Sequence, residues 1–271
     1  MASIFGITNT IKIQDIDLQA ALECALRDPL KNAFIISNFT QLKQDCSIVF
    51  NTGDGINYSA ASYYMDLPFF NINFMVYTTT DIKCLVGKLL AQHPELKGQP
   101  IFGLYDEATT RLLEQCFQVT RKNQQYKMAL KLDQIPEQPY DQTRYRLERM
   151  TLDDIVRISQ LYTLVPSMAW TPKMLQFGPY YGTFCEEHLV SIAGVQFVTK
   201  WVTEIGNIVT HFKHRRQNLA FACTRAVAES LRKSSERIFL CVYADNESAI
   251  RLYEKMGFVT AETINLIQFF I

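Results

Sequence analysis

One stretch near the C-terminus constrains this chain more than any other. Residues 204–210 are mostly apolar and suit a strand, and residues 211–217 then form a basic turn, HFKHRRQ. From Asn218 to Lys233, the residues Leu219, Ala222, Cys223, Ala226, Val227 and Leu231 recur at the one-face spacing of an amphipathic helix. Ile238 to Tyr243 is a short, near-continuous apolar run, as expected of a strand covered on both faces. A second helix follows, with Asp245 or Asn246 available as its N-cap. Its inward positions are Ile250, Leu252, Tyr253 and Met256, and Gly257 is placed to stop it. The order is strand, basic turn, helix, strand, helix.

A turn that brings free backbone N–H groups and three cations to the start of a helix suits a polyanion. The N-terminal amides and the helix dipole both favour negative charge, and a diphosphate would fit. Charge alone leaves open a solvated basic loop ahead of an ordinary helix. The surrounding motifs carry the argument further.

Arg215 to Ala220 read RRQNLA, and residues 246–258 read NESAIRLYEKMGF. The first resembles the pyrophosphate loop R/Q-x-x-G-x-G/A of the GNAT superfamily of acyl-CoA-dependent N-acyltransferases. The second follows that family's N-x-x-A-x-x-L-Y-x-x-x-G-F pattern at every named position. The resemblance covers about the last half of the chain and is nearest to the glycine N-acyltransferase-like branch. It departs at Asn218, where the family has glycine. Asparagine tolerates left-handed geometry but keeps its Cβ, so the loop is expected to form with a slightly displaced diphosphate contact.

The resemblance implies a cofactor site and a chemistry. Acetyl-CoA, or another acyl-CoA, would be a co-substrate, with its diphosphate on Arg215, Arg216, Gln217, Asn218, Leu219 and Ala220. Gly206 and Asn207 interrupt an apolar strand, the mark of a bulge or a close backbone approach. In the family, strands four and five splay there, which leaves the amides of Ile208, Val209 and Thr210 for pantetheine and the thioester carbonyl. Tyr253 matches the family's general acid, and Asn246 matches a residue near pantetheine while also suiting an N-cap. Glu204 is the candidate base, and a solvent-facing strand end is an equal reading of it. By carry-over, Tyr162, Pro166, Met168 and Trp170 are candidates to line the acceptor site, and plain core is their other reading.

Upstream, the periodicity predicts a helix over Asp17 to Arg27 and strands over Cys46 to Asn51, Tyr58 to Met65 and Phe69 to Tyr77, with a turn at 53–55. It then predicts a helix capped by Thr80, strand Ile101 to Leu104, helix Glu107 to Phe117 and strand Tyr126 to Leu132. The C-terminal half has the same order, which points to an internal repeat. In the first copy TTTD (78–81) replaces the basic loop, so no acyl-CoA site is expected there. The expected fold is α+β: tandem GNAT-like domains, each a mixed, mostly antiparallel sheet flanked by helices, with a splayed fourth and fifth strand in the second. The expected division is a degenerate domain over 1–134, a proline-bearing linker over 135–141 and the N-acetyltransferase domain over 142–271. In the second domain, Thr151 to Asp154 has capping-box form and Thr171-Pro172 starts a short helix.

Composition narrows the alternatives. Lysine and arginine number 27 against 27 acidic residues, so no net charge draws the chain to nucleic acid or an anionic membrane. Seven scattered cysteines without a CxxC pair, and four histidines without ligand spacing, argue against a disulfide framework or a metal site and for a reducing compartment. No apolar run reaches membrane-spanning length, and residues 1–12 lack the form of a signal peptide. The expectation is a cytoplasmic enzyme that passes an acyl group directly from acyl-CoA to a small-molecule or peptide amine, with no metal. The alternative is a non-catalytic acyl-CoA-binding or interaction module of the same fold, and the oligomeric state stays open.

Overall fold

The computed structural model describes residues 13–52, 58–131 and 135–271. The expected turn at 53–55, the terminus over 1–12 and Leu132 lie outside the described residues. The N-terminal half opens with helices α1 (Ile13–Ala25) and α2 (Ala33–Phe39), followed by strands β1 (Cys46–Thr52), β2 (Tyr58–Tyr64) and β3 (Asn73–Met75). Helix α3 (Thr79–Gln92), strand β4 (Pro100–Asp106), helix α4 (Glu107–Cys116) and strand β5 (Gln118–Leu130) complete it. The C-terminal half runs β6 (Tyr145–Arg149), α5 (Ile155–Leu164), β7 (Tyr181–Cys185), β8 (His188–Val198) and β9 (Thr203–Thr210). It ends with α6 (Leu219–Leu231), β10 (Ile238–Tyr243), α7 (Glu247–Lys255) and β11 (Phe258–Phe270). The series β1 to β5 with α3 and α4 is thus repeated by β7 to β11 with α6 and α7.

The two halves complete each other's sheets. The larger sheet has eight strands in the order β4-β11-β5-β10-β9-β8-β7-β6. Strand β5 of the first half lies between β10 and β11 of the second, and β11 lies between β4 and β5 of the first. The β5–β11 pair runs antiparallel from Phe258 opposite Leu130 to Phe270 opposite Gln118. Strands β1, β2 and β3 form a separate sheet, joined to β4 by the bridge between Asn71 and Phe102 and by Ile72 N–H donating to Phe102 O over 3.2 Å. Both faces of the shared sheet are covered. One apolar cluster, including Ile192, Phe221, Val227, Leu240 and Met256, lies in the C-terminal half, and a second unites Ala25, Ile36 and Phe39 with Phe197, Val202 and Phe239 of that half.

Three local features differ from expectation. Thr78, not Thr80, caps α3: its Oγ1 accepts from Asp81 N–H over 3.1 Å while the Asp81 carboxylate accepts from Thr78 N–H over 3.0 Å. This reciprocal box satisfies two otherwise orphaned amides, which a cap two residues later could not do. Strand β3 is confined to Asn73–Met75, because the chain before it follows β4 through isolated contacts and Asn71 Nδ2 donates to Tyr64 O. The short helix opened by Thr171-Pro172 is a 3-10 segment over Pro172–Gln176, with proline at its first position, but Thr171 makes no side-chain cap.

Candidate active site

The cleft is built around strand β9. It pairs in parallel with β10 only at Thr203 opposite Ile238 and Glu204 opposite Phe239. Beyond that point the two strands part. On its other side, β9 slips in register against β8 between Ile192 and Gly194, and Asn207 stands in this bulge with a left-handed φ of 54°. Asn207 is the pin of the bulge. Its Oδ1 accepts from Ser167 Oγ (2.7 Å) and Gln196 Nε2 (3.2 Å), its Nδ2 donates to Tyr180 Oη (2.8 Å), and its carbonyl accepts from Tyr162 Oη (2.7 Å). These contacts offset the strain of a left-handed non-glycine residue. The sequence marked the interruption but not the side chains that hold it.

After β9 the basic turn runs into α6. Arg216 and Asn218 both adopt left-handed φ, at 60° and 57°, and α6 starts at Leu219 with no side-chain cap. Its first amides are therefore left for an external acceptor. The Asn218 carboxamide turns aside, donating to Pro139 O over 2.7 Å, and Glu137 pairs with Arg225 of α6 at 3.0 Å. Residues 135–141 thus brace the loop from behind.

Opposite stands α7. Asn246 caps it, its Oδ1 accepting from Ala249 N–H over 3.3 Å, and Gly257, at φ 88°, ends it. Tyr253 on its inner face packs edge-on against Phe258, with ring centroids 6.1 Å apart. The Tyr253 hydroxyl has no hydrogen-bond partner among the described residues, and burial pushes its pKa upward, so it stays protonated.

A cleft of about 680 Å³ lies between these elements. Of the ten residues expected to contact the cofactor, it is lined by Ile208, Val209, Thr210, Arg215, Arg216, Asn218, Leu219, Ala220 and Asn246, and Gln217 is the one left out. Tyr253 lines it too, as do Arg251 and Lys255, whose i, i+4 spacing on α7 was legible in the sequence. The mouth is cationic and the walls along β9 are apolar. A space of about 180 Å³ between the parted strands continues the cleft inward, sharing Ile208, Asn246 and Tyr253 with it and adding Gln125 of β5.

Glu204 sits further in, where the strands part. It is 7% exposed, and burial pushes its carboxyl up to about 7, against the opposing influence of the Cys241 thiol and the Lys127 ammonium. Met168 shares a cavity with Glu204. Tyr162 and Trp170 pack against each other at a tilt, with ring centroids 5.0 Å apart, within the apolar cluster of the C-terminal half, and Pro166 lines none of these spaces. Burial raises the thiols of Cys223, to about 12, and Cys241, so neither is a ready nucleophile. The corresponding start of α3 differs: Asp81 occupies it, and despite its burial, hydrogen bonds from Thr78, Asn51, Ser59 and Tyr77 hold its carboxyl below the usual range.

Among the described residues no group of His, Cys, Asp and Glu could hold a metal, and no helix is long and apolar enough to cross a membrane. The family model of FR47-like proteins matches residues 180–266, which run from β7 into β11 and include every lining residue of the cleft but Gln138. A search of curated proteins finds no match. Among solved structures, a Drosophila protein is similar with a TM-score of 0.70 at 12% identity, over 94% of this chain and 96% of its own. A GCN5-related N-acetyltransferase from Kribbella flavida gives 0.65 at 12% identity, over 88% and 94%. A tandem GNAT protein from the clavulanic acid biosynthesis pathway gives 0.62 at 12% identity, over 95% of each chain. The fold is a tandem GNAT-like fold.

Proposed function

We propose that this chain is an acyl-CoA-dependent N-acyltransferase, in the simplest case an N-acetyltransferase, acting in the cytoplasm. The observation that carries the reading is the convergence, in one cleft, of an uncapped helix start with two left-handed loop residues, a parted strand and a protonated tyrosine. An acyl-CoA fits these residues. Its diphosphate would take the amides at the start of α6 between Arg215, Arg216 and Lys255, and its pantetheine would follow β9 at Ile208 to Thr210. The binding-only alternative draws on Asn218 in place of glycine and on a first half that lacks the basic loop. With Asn218 left-handed and its carboxamide bonded to Pro139, the first of these grounds is weakened.

Glu204 takes one proton from the amine as nitrogen attacks the thioester carbonyl carbon. The C–N bond forms, the C–S bond breaks, and the Tyr253 hydroxyl gives its proton to the departing sulfur. Amine and thioester become amide and thiol, and exchange with solvent restores both side chains. Free β9 amides beside the carbonyl would stabilise its oxyanion. In the N-terminal half, the carboxylate of Asp81 fills the place of the anion, so that half binds no acyl-CoA.

Calorimetric titration with CoA tests the reading. Wild-type protein should bind it, and Ala220→Asp, which puts a like charge at the diphosphate, should lose binding while keeping its thermal stability. Absence of heat with wild-type protein at millimolar CoA rules the function out.

A further inference from the structure

Between the two halves lies a cavity of about 170 Å³, into which Glu204 is set. It meets the inner end of the cleft at Gln125, which lines both this cavity and the space between β9 and β10. We propose that this cavity receives the amine, and that it selects small primary amines with an apolar or aromatic body and no carboxylate. The proposal rests on the acyltransfer reading above.

Charge is the first ground. The described residues lining the cavity include no lysine, arginine or histidine, and Glu204 is its one carboxylate. The nearby cation, Lys127, is engaged elsewhere, with its Nζ 2.8 Å from Glu262 Oε2 and 2.7 Å from Leu30 O. A substrate carboxylate buried here would face Glu204 with no cation to pair it.

The second ground is the direction of the hydrogen bonds. Asn71 uses its amide N–H on Tyr64 O (2.6 Å) and Gln196 uses its own on Asn207 Oδ1 (3.2 Å). Each side chain keeps a second N–H, and its carbonyl oxygen accepts from no described residue, so both oxygens are open to the N–H groups of an amine. Gln125 is 8% exposed, and its carboxamide has no partner among the described residues. It is a buried polar group waiting for one. From its place at the junction, it can hold a polar substituent of the acceptor beside the reacting centre. Ser37, Asn38, Asn73 and Tyr64 add polar atoms to the wall, but most of it is apolar, with Phe69, Phe102, Phe197 and Met168 prominent, and the volume suits a molecule of about the size of phenethylamine.

The site draws on both halves of the chain. Gln125, Asn71 and Phe102 come from the first and Glu204 and Gln196 from the second, so the cavity exists only because the strands are exchanged. The N-terminal half is thereby a specificity element.

The experiment compares matched acceptors on the full chain: phenethylamine, tyramine and phenylalaninamide against phenylalanine and glycine. Two readouts are taken, thermal shift in the presence of CoA and thiol release from acetyl-CoA. The uncharged-bodied amines should raise the melting temperature and be acylated, with kcat/KM at least 100-fold above that of their carboxylate-bearing counterparts. Gln125→Ala should raise the KM for tyramine and phenylalaninamide more than that for phenethylamine. If CoA binds while phenylalanine or glycine equals or exceeds the amines, or while none of the amines shifts the melting temperature, the proposal is overturned and the acyltransfer reading stands. Failure of CoA itself to bind is the separate result that removes that reading.

Discussion

Glu204 carries opposite consequences for catalysis and stability, because burial has moved its carboxyl from 4.5 to about 7. The Cys241 thiol and Lys127 ammonium face it, and both oppose that shift. As a base it works deprotonated, so kcat/KM should rise with pH through about 7. In folding, the native state holds the proton more tightly, so stability should fall as pH rises from about 4.5 to about 7 and level off above. Glu204→Gln should abolish that slope, unfold later than wild type at pH 8 by on the order of 3 kcal/mol, and lose most of its rate. Equal pH slopes for the two proteins in thermal melts would show that Glu204 is not the group. Tyr253→Phe should lower kcat about 100-fold to 10,000-fold with coenzyme affinity unchanged. Full turnover in the variant would instead make Tyr253 a packing residue. Tyr253 and the loop cations were legible in the sequence because their motif is local. Gln125 was not, since nothing in the stretch around it reveals that β5 is carried into the other half's sheet.

At the scale of elements, the bulge in β9 governs the cleft, because it keeps β9 from zipping onto β10 and leaves amides for a ligand. Its anchors come from α5 and the segment that follows: Tyr162 bonds the carbonyl of Asn207 and Ser167 bonds its side chain. Tyr162→Phe should therefore cost about 1 kcal/mol of stability and weaken CoA binding, although Tyr162 lines none of the cleft. Melting and titration of the same preparation check both effects, and unchanged CoA affinity would separate the bulge from the binding site. Helices and strands of the C-terminal half were legible because each has its own apolar period. Strand β3 was overextended because the aromatic run Phe69 to Phe74 has strand character, while its first residues meet β4 at one bridge and do not form a ladder.

For the whole molecule, the exchange of β5 and β11 means that neither half closes its own sheet. We propose that 135–141 divides two repeat units and not two independently folding domains. A fragment over 142–271 should be insoluble or unfolded, since β10 and β11 would lose the strand between them and expose unpaired edges. The full chain should melt in one calorimetric transition. A soluble, cooperatively folded fragment would contradict this reading. The repeat could be read from the order of elements. The exchange could not, because both ways of closing the sheets use the same strands in the same order, and only long-range pairing tells them apart. The central claim is that one continuous passage runs from the basic loop, past Tyr253, to the cavity beside Glu204. A crystal structure of the full chain with CoA tests it most directly. The account predicts the diphosphate on the amides between Arg216 and Phe221, and the sulfur between Tyr253 and Gln125. Coenzyme seated at the start of α3, or lying outside the cleft, would contradict it.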